Sequence, residues 1–151
     1  MPEPYDEPLP GEALVSFAFA GTGAIVGTSL AAGLLPDTFG VVHALLSAAL
    51  FAIGTGALLW AYALGVSRSR AVVVTLVGLF FLGGGAAPPE IAKRFRIALA
   101  VEVVAVVAAA VPRAGTESVV AFGVLAPMFG LGLMAVYGGR YGVYPARAES
   151  S

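Results

Sequence analysis

The chain of 151 residues contains no cysteine, a single histidine and few charged residues. The missing cysteines exclude disulfides, thiolate metal sites and cysteine nucleophiles. Charged residues make up 11% of the chain and hydrophobic residues 59%, and the mean hydropathy is +0.94. Soluble domains carry about 25% charged residues. The composition therefore excludes an ordinary water-soluble domain and indicates an integral membrane protein.

Residues that carry chemistry are scarce as well. With one histidine and no cysteine, neither an HExxH motif nor a thiolate site can be assembled. The triple glycine at residues 83–85 lacks the lysine and hydroxyl of a phosphate loop. Basic residues do not gather on one helix in the number that neutralises several phosphates. We therefore expect no enzyme activity, no cofactor, no metal and no nucleic-acid partner.

The order of apolar runs predicts one transmembrane helical domain between two polar tails. Residues 1–12 contain four prolines and four acidic residues, which predicts a disordered tail. Residues 13–35, 41–65, 97–111 and 118–138 are apolar runs that suit a hydrocarbon core of roughly 30 Å. The first run is too long for a signal peptide and lacks a preceding basic segment, so we expect it to be retained. The helical domain covers residues 13–139, and residues 140–151 form a short basic polar tail.

Residues 71–87 leave two topologies open, because their apolar part is short and ends in three glycines. If this segment crosses, there are five transmembrane helices, with five basic residues inside and three outside. If it re-enters, four transmembrane helices form an antiparallel bundle with both termini inside, and seven basic residues lie inside against one outside. The positive-inside rule favours the second arrangement. We therefore expect an all-α bundle of four transmembrane helices plus a re-entrant glycine-rich segment, with five transmembrane helices as the alternative.

Glu102 lies near the middle of an apolar run, where an ionised carboxylate costs roughly 2.5 to 3.5 kcal/mol. At helical spacing from it stand small residues, namely Ala98, Ala105 and Ala109, whereas valines occupy the opposite face. Small residues let helices approach closely. The pattern predicts that Glu102 points into the bundle, either as a neutral packing carboxyl bound to a hydroxyl or as a proton or ion group.

Two further residues are candidates for special roles inside the membrane. His43 comes two residues into the second run, so we expect it near an interface, where it either titrates or simply anchors the helix. Pro127 lies in the middle of the last run, where it removes a hydrogen bond from the Gly123 carbonyl. A proline in that position predicts a kink.

Two further groups of residues suggest contacts with helices and lipids. Gly23 and Gly27 form a GxxxG pair that predicts close helix contact, within the bundle or between protomers. Basic residues at segment ends are expected to anchor the topology and to meet lipid headgroups. They are Arg68, Arg70, Lys93, Arg94 and Arg96. The expected partners are the lipid bilayer and a membrane protein or a second copy of the chain.

Three stretches resemble a family of small, uncharacterised multi-pass membrane proteins of actinobacteria. They are SRSR at residues 67–70, GLFFLGGGAAP at residues 78–88, and FGVLAPMFGLGLMAVYGGRYGVYPAR at residues 122–147. Members of that family end in a span with a central proline, followed by a Gly-Arg-aromatic-Gly tail. The resemblance implies a bacterial plasma-membrane location and brings no known activity.

The sequence thus favours a small membrane protein that acts by helix packing. It would serve as an accessory or scaffold subunit or as a homo-oligomer. The alternative is a small proton or cation transporter or channel that uses Glu102.

Overall fold

A computed structural model describes residues 9–113 and 119–147 of the chain. The described residues form five α-helices, which we number α1 to α5. They are α1 (Glu12–Leu34), α2 (Pro36–Arg68), α3 (Leu76–Phe81), α4 (Pro89–Ala110) and α5 (Met128–Tyr141). Two 3₁₀ helices, Val111–Arg113 and Val119–Leu125, lie between α4 and α5. Within these residues the only β-type pairing is an isolated bridge between Val72 and Ala146.

Local chemistry explains where the helices begin. Proline opens α2 at Pro36 and α4 at Pro89, where its fixed φ suits the first turn and its missing N–H costs nothing. Asp37 and Glu90 follow in those first turns, at the positive end of the helix dipole. The short α3 is capped by Thr75, whose Oγ1 accepts a hydrogen bond of 3.0 Å from the Gly78 N–H.

Three helical segments are long and apolar enough to cross a membrane, which indicates a lipid bilayer as the environment. They are Glu12–Leu34, Pro36–Arg68 and Ala121–Tyr141. Large apolar side chains cover their outer surfaces, and examples are Phe17, Leu45 and Leu59. Helix α4 has a comparable length, but it carries Lys93 and Arg94 near its start.

One end of the bundle gathers the start of α1, the end of α2, the start of α4 and the end of α5. Glu12 and Arg94 form an ion pair of 3.2 Å between α1 and α4. Arg68, the last residue of α2, donates to the Gly139 carbonyl at 2.9 Å and to the Gly142 carbonyl at 2.8 Å. Long helices that follow one another in sequence are therefore antiparallel, whereas the closely packed pairs α1 and α4, and α2 and α5, run parallel, so the expected antiparallel bundle holds only for consecutive helices. We call this end of the molecule the arginine end.

Both ends of the segment between α2 and α4 bind the same tail that follows α5. The Val73 N–H donates to the Pro145 carbonyl at 2.9 Å, and the Arg147 N–H donates to the Ala71 carbonyl at 3.1 Å. At the other end of the segment, the Val143 N–H donates to the Ala86 carbonyl at 2.9 Å. The chain turns between these contacts at Gly84 and Gly85, which have φ values of 63° and 78°. Residues 71–88 thus leave from and return to the arginine end.

The last helical segment is broken at Pro127. The 3₁₀ helix Val119–Leu125 ends there and α5 begins at Met128. The Gly123 carbonyl, which we expected proline to leave free, accepts a 3.0 Å hydrogen bond from the Ala126 N–H. A 3₁₀ bond spans one residue fewer than an α-helical bond, so it satisfies the carbonyl without the N–H that proline lacks. We refer to the 3₁₀ helix Val119–Leu125 together with α5 as the broken helix.

The limits of the helical domain differ slightly from those expected. The first helix begins at Glu12 and the last ends at Tyr141, whereas we expected residues 13–139. Residues 142–147 of the expected polar tail pack against residues 71–86. Most of the expected disordered tail, residues 1–8, lies outside the described residues, as do residues 148–151.

Candidate functional site

Glu102 lies in the centre of the bundle and is completely buried. Helix α4 turns its small residues inward, so Ala98 and Ala109 are buried beside it, while Val104 and Val111 on the opposite face are exposed. Glu102 therefore points away from lipid, as its alanine neighbours predict. A carboxyl group in this position is removed from bulk water. Its protonation state and hydrogen bonds therefore depend on the neighbouring protein groups.

The hydroxyl of Thr22 on α1 binds the carboxyl group of Glu102. Thr22 Oγ1 is 2.9 Å from Glu102 Oε1 and 2.9 Å from the Ala18 carbonyl oxygen. A hydroxyl has one proton to donate. When that proton goes to Ala18, the bond to Glu102 requires a proton on the carboxyl group. The geometry therefore accommodates both the neutral and the ionised acid.

The second oxygen of Glu102 faces the broken helix. Oε2 is buried, and the donor beside it is the Gly130 N–H, whose contact falls short of an ordinary hydrogen bond in distance or angle. It lies beside Gly130, where a Cβ atom would come within 2.7 Å of it. Gly130 belongs to the first turn of α5, whose N–H groups have no carbonyl partner inside the helix. One unpaired carboxyl oxygen therefore lies at the N-terminal end of a helix in the interior of the protein.

His43 is also completely buried. Helix α2 begins at Pro36, before the apolar run itself, and this places His43 two turns inside the helix. Its ring lies between α1 and the 3₁₀ helix Val119–Leu125. A Cβ atom at Gly123 would collide with His43 Nε2, so only glycine leaves room for the ring.

The hydrogen bond between His43 and Thr28 fits either tautomer of the neutral ring. Thr28 Oγ1 lies 3.0 Å from the Ala24 carbonyl oxygen and 3.2 Å from His43 Nδ1, and its one proton can go to either atom. When Thr28 donates to Ala24, Nδ1 donates to Thr28 and Nε2 carries a lone pair; when Thr28 donates to Nδ1, Nε2 carries the proton. In both tautomers Nε2 is buried without a hydrogen-bond partner.

Close packing of α2 against α5 holds the broken helix in place. A Cβ atom at Gly54 would collide with the Met128 carbonyl oxygen, and one at Gly132 with the Gly54 carbonyl oxygen. The two backbones therefore touch directly, as small residues allow in membrane helices. Pro127 adjoins this contact and is half-buried, so the helix break is fixed by packing on α2.

Two arginines at the arginine end donate hydrogen bonds to backbone carbonyls, whereas other basic side chains there are exposed. Besides its bonds to Gly139 and Gly142, Arg68 lies over the Tyr144 ring, 5.4 Å from its centroid. Burial raises the pKa of the Tyr144 phenol, and its hydroxyl donates to the Gly138 carbonyl at 3.1 Å. Arg96 donates to the Phe81 and Leu82 carbonyls at 3.1 and 3.3 Å, which caps the end of α3. These cations satisfy carbonyls at the negative ends of helices.

The remaining candidates lie on the outside. Arg70, Lys93 and Arg94 are exposed at the arginine end. Gly23 and Gly27 are exposed on α1, and a Cβ atom at either position would meet nothing within 4 Å. The GxxxG pair therefore takes no part in packing inside this bundle.

The sequence predicts a hydroxyl partner for Glu102 without identifying the residue, and it predicts none for His43. The structure assigns Thr22 to Glu102 and Thr28 to His43. Two glycines on either side of Pro127, Gly123 and Gly130, were the available signal, because each makes room for one buried titratable group. Across the described parts of the chain, no group of three or more His, Cys, Asp or Glu side chains could hold a metal ion.

No protein-family model, curated protein or solved structure matches this chain. The resemblance to small actinobacterial membrane proteins therefore stays a prediction, and the functional argument depends on the geometry described above.

Proposed function

We propose that the protein is a small multi-pass membrane protein that acts by helix packing, as a homo-oligomer or an accessory or scaffold subunit, without catalysis of its own. The observation that carries this proposal is the position of Gly23 and Gly27. They form a close-contact motif on the outer face of α1 with open space in front of both residues. Other glycines with the same potential, Gly54 and Gly132, are already used inside the bundle.

We further propose four membrane crossings, by α1, α2, α4 and the broken helix, with residues 71–88 as a re-entrant hairpin. Two observations support this topology. The four long segments alternate in direction, and both ends of residues 71–88 hydrogen-bond to the tail at the arginine end. The mean hydropathy of α4 is lowered by three basic residues near its start. Lys93, Arg94 and Arg96 would lie at the membrane surface, so they do not prevent the rest of α4 from crossing.

The arginine end is proposed to face the cytoplasm of a bacterial cell. Every Lys and Arg of the chain except Arg113 belongs to that end in the proposed topology, and short loops rich in Lys and Arg stay inside. The bacterial plasma membrane follows from the resemblance to actinobacterial proteins.

Self-association is tested by replacing the outer glycines of α1. We expect G23I and G27I to shift the purified protein in lipid nanodiscs or mild detergent from a dimer or higher oligomer toward the monomer, because a branched side chain keeps the helices apart. The matched control is G56I, since Gly56 on α2 is also exposed with nothing within 4 Å. Sedimentation or chemical cross-linking measures the mass.

Two results would contradict self-association through α1. One is a wild-type protein that stays monomeric at every concentration in the membrane mimic and has no partner after native purification. The other is an oligomer that G23I, G27I and G56I leave equally intact.

The second candidate function is a proton or cation path through Glu102. It is favoured by one observation, namely that Oε2 of a completely buried carboxyl group has only the Gly130 N–H beside it and makes no hydrogen bond of ordinary geometry. Ionisable groups inside membrane segments commonly serve ion pathways. This candidate is compatible with a homo-oligomer, and its test is given with the inference that follows.

A further inference from the structure

We propose that His43 and Glu102 are two stations of a single proton-binding site, arranged on either side of the break at Pro127. This inference rests on the second candidate function and names its ion as the proton. Both side chains are completely buried, and each has one atom that can take a proton and makes no hydrogen bond of ordinary geometry. Each unpaired atom faces a glycine of the broken helix, Gly123 for His43 and Gly130 for Glu102.

The two stations are bound by threonines of the same helix. Their partners Thr22 and Thr28 are six residues apart on α1, which corresponds to about 9 Å along the helix axis. Ser47, one turn after His43 on α2, is completely buried in the same bundle and supplies a hydroxyl close to the histidine. Waters or hydroxyls can bridge a gap of this size, as they do in proton relays of other membrane proteins.

The site suits a proton better than a metal cation. Divalent metal ions need about four to eight ligand atoms, whereas each station offers one such atom and the threonine partners of the stations are separated by about 9 Å along α1. A proton needs a single lone pair. Each threonine hydroxyl can donate its proton either to the titratable side chain or to a backbone carbonyl of its own helix. Thr22 and Thr28 can therefore bind Glu102 and His43 in both their protonated and their unprotonated forms.

The surroundings of both stations are free of other charges in the part of the chain that the structure describes. Facing Glu102 are Thr22 from α1 and Gly130 from α5. Facing His43 are Thr28 from α1 and Gly123 from the 3₁₀ helix Val119–Leu125. Neither set contains a charged or second titratable group. Each station therefore responds mainly to the charge of the other.

The proton enters from the end opposite the arginine end. His43 is seven residues from the start of α2, about 10 Å along the axis from that end. A proton from water binds the lone pair of Nε2 and forms an N–H bond. That bond breaks as the proton passes through the bridging hydroxyls or waters, and an O–H bond forms at Glu102 Oε2. The transfer needs no oxidant or reductant.

The single histidine makes a direct test possible, because ¹⁵N-histidine labelling of the full chain in nanodiscs gives one labelled side chain. We expect a neutral ring with the proton on Nδ1 near the alkaline end of the titration, and protonation of Nε2 as the pH falls. E102Q removes the neighbouring carboxylate at nearly constant shape. In E102Q we expect the midpoint of the His43 titration to fall, since a carboxylate within about 10 Å favours the imidazolium. E90Q, at an exposed acid of α4, is the control and should leave the midpoint unchanged.

A His43 ring that takes up no proton at Nε2 before the protein unfolds would overturn the two-station site. So would a midpoint that is identical in wild type and E102Q. Proton flux into pyranine-loaded proteoliposomes, driven by a potassium diffusion potential, is the second readout. We expect E102Q and H43Q each to lower the flux about tenfold or more, the scale on which a lost acid–base group acts.

The pattern of flux separates this inference from the proposals on which it rests. Loss of flux in E102Q with normal flux in H43Q overturns the two-station site and leaves a path through Glu102. A wild-type flux equal to that of protein-free vesicles overturns both. Self-association through α1 is measured independently of flux, so its failure is recognised separately.

Discussion

The polar side chains inside the bundle differ in whether they have hydrogen-bond partners. Thr22, Thr28 and Ser47 each have a backbone carbonyl partner on their own helix, four residues back in the chain. They are therefore satisfied without the side chains of Glu102 and His43. Four side chains, those of Ser29, His43, Thr55 and Glu102, each have one buried atom that makes no hydrogen bond of ordinary geometry. Of these four, only Glu102 and His43 can gain or lose a proton, and this is the reason for assigning chemistry to them.

The cost of the unpaired carboxyl oxygen leads to a prediction about stability. We expect E102Q to unfold at a temperature close to wild type and E102L to be equally stable or more stable. Leucine removes the unpaired Oε2, and Thr22 keeps its bond to the Ala18 carbonyl; an apolar group of similar shape in place of a poorly paired polar one is commonly neutral or stabilising. Thermal unfolding in detergent, followed by circular dichroism, measures the effect.

A different outcome would change the role of Glu102. If E102L lost more than about 2 kcal/mol relative to E102Q, the carboxyl group would be a structural hydrogen-bonding residue, and a proton site would no longer be needed to explain its presence.

For the helices as elements, the contact between α2 and α5 decides stability. We expect G54A and G132A each to destabilise the protein by about 1 to 3 kcal/mol, because the new methyl group collides with the backbone of the other helix. The steric cost exceeds the gain of about 1 kcal/mol that alanine brings to an exposed helix position. G56A is the matched control on α2, where the methyl group meets open space, and it should be neutral or stabilising.

Equal unfolding temperatures for G54A, G132A and G56A would contradict direct backbone contact between α2 and α5. In that case the broken helix would be held by its side chains, and the position of Gly130 beside Glu102 would need another explanation.

The sequence predicts the elements better than their interruptions. The valine and alanine faces of α4 correctly predict which side carries Glu102, because burial follows the helical period. Pro127 predicts a kink, whereas the structure has a break between a 3₁₀ helix and α5. The break forms because a 3₁₀ turn closes before the proline, in a segment that packs against Gly54. The apolar run begins at Val41, whereas Pro36 starts the helix five residues earlier, so the run alone does not give the helical position of His43.

At the scale of the whole molecule, the tail after α5 joins the arginine end into one unit. It pairs with Val73 and with Ala86, so it fixes both ends of the segment between α2 and α4. No local pattern of residues 71–88 predicts these contacts, since they come from a part of the chain more than 50 residues away. Charge counting favoured four crossings by sequence, and the position of these contacts supports the same topology by an independent argument.

The topology is also the claim on which the other proposals depend, because it sets which side supplies protons and which face of α1 meets lipid. Single cysteines can be introduced into this cysteine-free chain at Ala71 and Glu90, which are exposed on either side of α3, and at Thr116 between α4 and the broken helix. An impermeant maleimide is then applied to intact cells. The four-crossing topology predicts reaction at Thr116→Cys alone, with Ala71→Cys and Glu90→Cys reacting only after the membrane is opened. Reaction of one of these two in intact cells, without the other, would show that residues 71–88 cross the membrane and would contradict the account.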